Sequence, residues 1–127
     1  MNSVAGLLRV PYRAAYNASK PGLIGPNHTL AAECGGRGVR VNAVCSGWVK
    51  MEMDEEDQGA GGYAEADIEG RVPTGRFAAP DGVARAVAFL ADPEWSGFVN
   101  GQTRSVDGGW FADGSWESLR RGKQGSL

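Results

Sequence analysis

Val39-Arg40-Val41-Asn42-Ala43-Val44 is a short β-rich run with apolar residues on both faces, entered through Gly38. That pattern belongs to a parallel strand covered on both sides, so the chain must supply layers to cover it and an α/β architecture is expected. The flanking segments supply helices. Residues 14–33 have the length and the Ala/Leu content of a helix, followed by Gly35, Gly36 and a basic Arg37 as stop signals. Pro21 and Pro26 interrupt it, and each interior proline removes a donor and crowds the preceding turn at about 3 kcal/mol, which predicts a kink or break just after Lys20. A second helix is expected over 79–90, started at Pro80-Asp81 and apolar at Val83, Ala84, Val87, Ala88 and Leu90. A last strand is expected over 102–106. Residues 50–72 carry Asp54-Glu55-Glu56-Asp57 and Gly59-Ala60-Gly61-Gly62, and read as a long mobile connection.

The chemistry concentrates near the N-terminus. Tyr16 and Lys20 lie four residues apart, on one face of a helix and one turn from each other, with Ser3 thirteen residues before the tyrosine. An isolated phenol titrates near about 10, so a tyrosine that works as an acid or base at neutral pH needs a positive charge beside it. Lys20 is placed to supply it. A Tyr-x-x-x-Lys pair alone is weak evidence, since many surface helices carry one by chance.

Here the pair has company. Ser3-Val4-Ala5-Gly6 precedes it, and Gly38 to Val44, Gly47-Trp48-Val49, Pro73-Thr74-Gly75-Arg76-Phe77 and Val106-Asp107-Gly108-Gly109 follow in order. From Asn2 to about Trp110 the chain resembles the short-chain dehydrogenase/reductase superfamily, in the compact branch that includes the β-ketoacyl carrier-protein reductases. The resemblance implies that Tyr16 is the acid/base that exchanges a proton with the reacting oxygen. It implies that Lys20 holds the nicotinamide ribose and lowers the phenol's pKa, and that Ser3 hydrogen-bonds the reacting oxygen. Hydride would come from NAD or NADP, leaving the protein to supply position and electrostatics. Gly47 and Val49 would approach the nicotinamide. Asn42 is expected to hydrogen-bond neighbouring backbone beneath the site, residues 50–72 to act as a substrate lid, and the turn at Asp107-Gly108-Gly109 to be structural.

Two differences from the family pattern stand out. Its P-G-x-V-x-T segment is here Ser46-Gly47-Trp48-Val49-Lys50-Met51, so Met51 brings no hydroxyl to the cofactor. Its glycine-rich T-G-x-x-x-G-x-G turn, which receives the pyrophosphate at a helix N-terminus, has no counterpart in these 127 residues. The expected fold is therefore the C-terminal half of a Rossmann-type doubly wound parallel sheet without the N-terminal dinucleotide-binding strands, with residues 1–112 the catalytic half and 113–127 a polar tail. Met1 would then correspond to an internal residue of a longer enzyme. An isolated half of this kind is expected to expose apolar faces and an open sheet edge, and so to aggregate or stay partly molten unless covered.

Composition narrows the class. A formal charge of −2, with 42% hydrophobic and 22% charged residues, gives no reason to expect nucleic acid or an anionic membrane surface. No apolar run approaches the roughly 20 residues that span a bilayer, and a cytoplasmic location is expected. Cys34 and Cys45 lack CxxC spacing and His28 is the only histidine, so reduced cysteines and no metal site are expected. The expected partners are a small carbonyl or alcohol substrate and, in the complete enzyme, further copies of the chain; Trp95, Phe98, Trp110 and Phe111 offer aromatic area for such contacts or for the core. The leading reading is an oxidoreductase interconverting a ketone and a secondary alcohol. Against it stand a non-catalytic fragment acting only in assembly, and a nucleotide-sugar epimerase or dehydratase that shares Tyr-x-x-x-Lys, which the Gly38 to Val44 motif and the Asp-Gly-Gly ending disfavour.

Overall fold

The structure is a computed structural model that describes residues 1–8, 14–50, 64–115 and 119. Three parallel strands form one sheet in the order β1 (Asn2–Ser3), β2 (Ala43–Ser46), β3 (Thr103–Val106). The register sets Ser3 beside Ser46 and Ser46 beside Val106, so all three strands end at one level. Parallel neighbours need crossovers long enough to return the chain to the starting edge. The first crossover contains a 3-10 turn (Val4–Gly6), α1 (Ala14–Ser19), a second 3-10 turn (Pro21–Leu23) and α2 (Ile24–Gly35). The second contains α3 (Glu65–Arg71), α4 (Pro80–Ala91) and α5 (Pro93–Ser96).

The break after Lys20 is present, and Pro21 causes it. The Lys20 amide still bonds back to the Tyr16 carbonyl at 3.1 Å, but Pro21 has no amide to continue the ladder, and the chain tightens into a 3-10 turn before α2 begins. Pro26 is tolerated because it is the third residue of α2, where an N–H would have no partner within the helix. The stop signal is displaced. Gly36 keeps a right-handed conformation, and the reversal into positive φ comes at Gly38, φ 80°.

β2 lies further along the chain than the sequence predicts: residues 39–42 are outside the ladder, which runs from Ala43 to Ser46. Side chains hold those residues in place of strand pairing. Arg40 donates from Nη1 to the carbonyls of Ser96 (2.9 Å) and Val99 (3.2 Å), and from Nη2 to that of Leu90 (2.8 Å). The Val41 amide donates to Asn100 Oδ1 at 2.9 Å. Asn42 donates to the Val99 carbonyl at 3.0 Å and accepts from the Gln102 amide at 3.0 Å, the structural role expected of it. The ladder then starts at Ala43, whose amide meets the Gln102 carbonyl at 2.8 Å.

Ala43, Val44 and Cys45 are buried, with Val4, Ala31, Ile68, Val72 and Val83 around them as the core. α4 and β3 fall within a residue of the expected bounds. Part of the expected mobile connection is helix: α3 is started by the Asp67 carboxylate, which accepts the Ala64 amide at 2.8 Å, and Lys50 pairs with Glu65 at 2.8 Å. The acidic run 54–57, the glycines of 59–62, Met51 and the tail beyond 119 lie outside the described residues. The turn after β3 uses left-handed glycines as expected, with φ 64° at Gly108 and 93° at Gly109.

Candidate active site

Ser3 closes β1, Tyr16 lies in α1, and Lys20 follows α1 directly. A side chain that the sequence reading did not single out ties these elements together. Asn2, 5% exposed, donates from Nδ2 to the Lys20 carbonyl at 2.8 Å and accepts the Ser3 amide on Oδ1 at 2.8 Å. One carboxamide thus spans eighteen residues, fixing the C-terminal end of the Tyr16 helix to the strand that carries Ser3. A buried amide of this kind must be hydrogen-bonded, and that need explains both contacts. The only available signal was an Asn in a strand immediately before the serine.

Tyr16 is half-exposed, at 43%. The Lys20 ammonium stands over its ring, 5.2 Å from the centroid, as the four-residue spacing predicts. The pair offers a phenol and an ammonium side by side at an accessible surface. That donor set suits the vicinal hydroxyls of a ribose and an oxygen that gains negative charge.

Gly47 follows β2 directly, next to the end of β1, because Ser3 pairs with Ser46, and Val49 comes two residues later. Ser46 stands where the family pattern has proline, and it continues the strand between Ser3 and Val106. The Gly47 amide donates to the Val106 carbonyl at 3.0 Å. A Cβ on Gly47 would lie 2.9 Å from the Asp107 Cα, so glycine is required here by the neighbouring backbone. Val49 forms a parallel bridge with Ala78, framed by the bonds from the Ala78 amide to the Trp48 carbonyl (2.9 Å) and from the Lys50 amide to the Ala78 carbonyl (3.0 Å). The structure therefore brings Ser3 and Gly47 to one end of the sheet, and ties to that end, through Lys20, the helix that carries Tyr16.

Trp48 was read only as part of a motif, yet it anchors a stack. Its ring lies 5.9 Å from that of Trp110 at 13°, and the Arg71 guanidinium covers Trp110 at 5.5 Å while donating to the Asp113 carbonyl at 2.9 Å. Among the four aromatics singled out, Trp110 belongs to this stack; Trp95, Phe98 and Phe111 are exposed. Cys34 and Cys45 are free thiols. Burial pushes the Cys45 thiol up from its ordinary value of 9.0. Among the described residues no group of three or more His, Cys, Asp or Glu could hold a metal ion, and no helix is long and apolar enough to cross a membrane.

Comparison with known proteins agrees with this architecture. The sequence profile of the Enoyl-(Acyl carrier protein) reductase family matches residues 1–111. The chain is 48% identical over 110 residues to an uncharacterized short-chain type dehydrogenase/reductase of Sinorhizobium fredii, covering 87% of this chain and 20% of the relative. It is 40% identical over 109 residues to a 3-oxoacyl-[acyl-carrier-protein] reductase of Thermotoga maritima, covering 86% and 43%. A short chain dehydrogenase family protein from Francisella tularensis superposes with a TM-score of 0.80 at 27% identity, over 88% of this chain and 49% of that one. ElxO with NADP bound gives 0.78 at 29%, over 88% and 45%. A 4-hydroxyisoleucine dehydrogenase mutant with NADH and succinate gives 0.79 at 30%, over 90% and 46%. The chain thus spans less than half the length of these proteins. By profile, sequence identity and fold, the chain belongs to the short-chain dehydrogenase/reductase family of oxidoreductases.

Proposed function

We propose that residues 1–112 are the catalytic half of an NAD- or NADP-dependent oxidoreductase that interconverts a ketone and a secondary alcohol, with Tyr16 as its acid/base. One observation carries this reading: the Lys20 ammonium over the Tyr16 ring, on a helix end that Asn2 ties to Ser3. The relatives solved with NADP or NADH support a nicotinamide dinucleotide as the cofactor.

In this reading Tyr16 and Lys20 would hold the nicotinamide ribose, and Gly47 and Val49 would contact the nicotinamide. The cofactor supplies or accepts hydride. Tyr16 gives its phenolic proton to the carbonyl oxygen during reduction and takes it back from the alcohol during oxidation. The Lys20 ammonium, over the ring, is the cation beside this proton exchange. Ser3 donates its hydroxyl to the same oxygen, where a donor at about 3 Å acts most strongly on the charge that develops. The substrate is a small carbonyl or alcohol compound, the location cytoplasmic, and the complete enzyme an assembly of identical subunits.

The test is nicotinamide-linked reduction of a β-keto thioester by the protein isolated from its own cells, compared with the Tyr16→Phe protein. General acid/base catalysis contributes about 10²- to 10⁴-fold, and a loss of that size is expected in the variant, with cofactor affinity within about threefold of the parent. Near-normal turnover by Tyr16→Phe would refute the assignment.

A further inference from the structure

A cavity of about 550 Å³ opens beyond the C-terminal ends of β2 and β3, and neither Ser3, Tyr16 nor Lys20 lines it. Its size falls within the range of small-molecule sites, and its position outside the carboxyl ends of parallel strands is where open α/β sheets bind ligands. We propose that it is a second ligand site, accepting a small molecule with a flat apolar body and one phosphate or carboxylate, the anion held between Arg76 and Arg85.

One wall is aromatic and fixed in place. Trp48 lines the cavity, and its indole is stacked against Trp110, which is itself covered by Arg71. Phe77 lines it as well, with the Lys50 ammonium 5.8 Å from its ring centroid. Aromatic faces held by stacking offer a ready surface to a flat apolar group at little ordering cost.

The charged wall is open. Arg76 donates from Nη1 to the Phe77 carbonyl at 3.1 Å, which leaves most of its fork unused. Among the described residues, no carboxylate lies within ion-pairing distance of Arg76 or Arg85. Two carboxylates also line the cavity. Those of Asp107 are occupied, Oδ1 by the Gly109 amide at 3.0 Å and Oδ2 by the Phe111 amide at 2.8 Å. Asp81 sits in the first turn of α4, where the helix dipole stabilises its carboxylate, and it leaves one negative group beside the two arginines. Two guanidiniums thus remain for an incoming anion, and a planar fork matches phosphate and carboxylate geometry.

The test is a titration of the whole chain, labelled for indole NMR, with the Trp48 resonance assigned through Trp48→Phe. Phenyl phosphate and benzoate are expected to shift that resonance saturably. Benzyl alcohol, which lacks the anion, and inorganic phosphate, which lacks the ring, are each expected to bind at least about tenfold more weakly. Arg76→Gln and Arg85→Gln should each weaken phenyl phosphate about tenfold, and Arg85→Lys less. Both arginines are exposed, so these variants retain the fold. Equal binding of benzyl alcohol or of inorganic phosphate, unchanged affinity in both glutamine variants, or an unmoved Trp48 resonance would each overturn the proposal. The readout is binding at Trp48, so loss of the Tyr16 assignment would leave it unaffected.

Discussion

Asn2 connects the strand that carries Ser3 to the residue that follows the Tyr16 helix. Its carboxamide is buried, and it satisfies the Lys20 carbonyl and the Ser3 amide at once. Asn2→Ala would leave both groups without this partner, so a loss of about 1–3 kcal/mol in unfolding free energy is expected, measurable by denaturant titration. Turnover should fall as well, because Ser3 and Lys20 would no longer be held to a common point. A variant that melts like the parent would show that the tie contributes little. The four-residue spacing of Tyr16 and Lys20 was enough to expect their contact, which is present, but singling them out with Ser3 took the motifs around them. Asn2 was not, because its partner is a backbone carbonyl eighteen residues away and no side-chain pattern marks it. Gly47 was legible as a close approach, but the neighbour that demands glycine is the Asp107 backbone, which only the sheet register reveals.

At the scale of elements, start signals proved better guides than apolar content. Pro80 and Asp81 mark the beginning of α4, and Pro21 marks the break after α1, because proline acts on its own immediate backbone. The start of β2 escaped the same reasoning. Val39 to Asn42 have strand-like composition, yet Arg40, Asn42 and Asn100 engage that stretch through contacts 50 to 60 residues apart in sequence. Arg40 carries most of this load, joining the ends of α4 and α5 and Val99 to the entry of β2. Arg40→Met keeps the apolar stem but strips three carbonyls of their charged donor, and should cost about 2–4 kcal/mol by thermal or denaturant unfolding. Arg40→Lys should recover only part of that loss, since a single ammonium cannot reproduce the planar fork. Full recovery by lysine would show that charge, and not geometry, holds the strand entry.

At the scale of the molecule, Ser3 and Gly47 lie at one end of a three-stranded sheet, while Leu23, Leu30, Val87, Phe89, Trp95 and Phe98 remain exposed. These side chains fit the expectation that apolar groups stay uncovered on this chain. The chain also covers less than half the length of the family members it matches. The fold class was legible because parallel strands and their crossovers leave local patterns, whereas the Arg71–Trp110–Trp48 stack joins three distant segments and leaves none. The central claim is that Tyr16 and Lys20 act as one unit. A double-mutant cycle on turnover by the protein from its own cells, with Tyr16→Phe, Lys20→Met and the double variant, tests it directly. The account predicts that the double variant loses about as much activity as Tyr16→Phe alone; losses that multiply independently, or turnover that survives both substitutions, would contradict it.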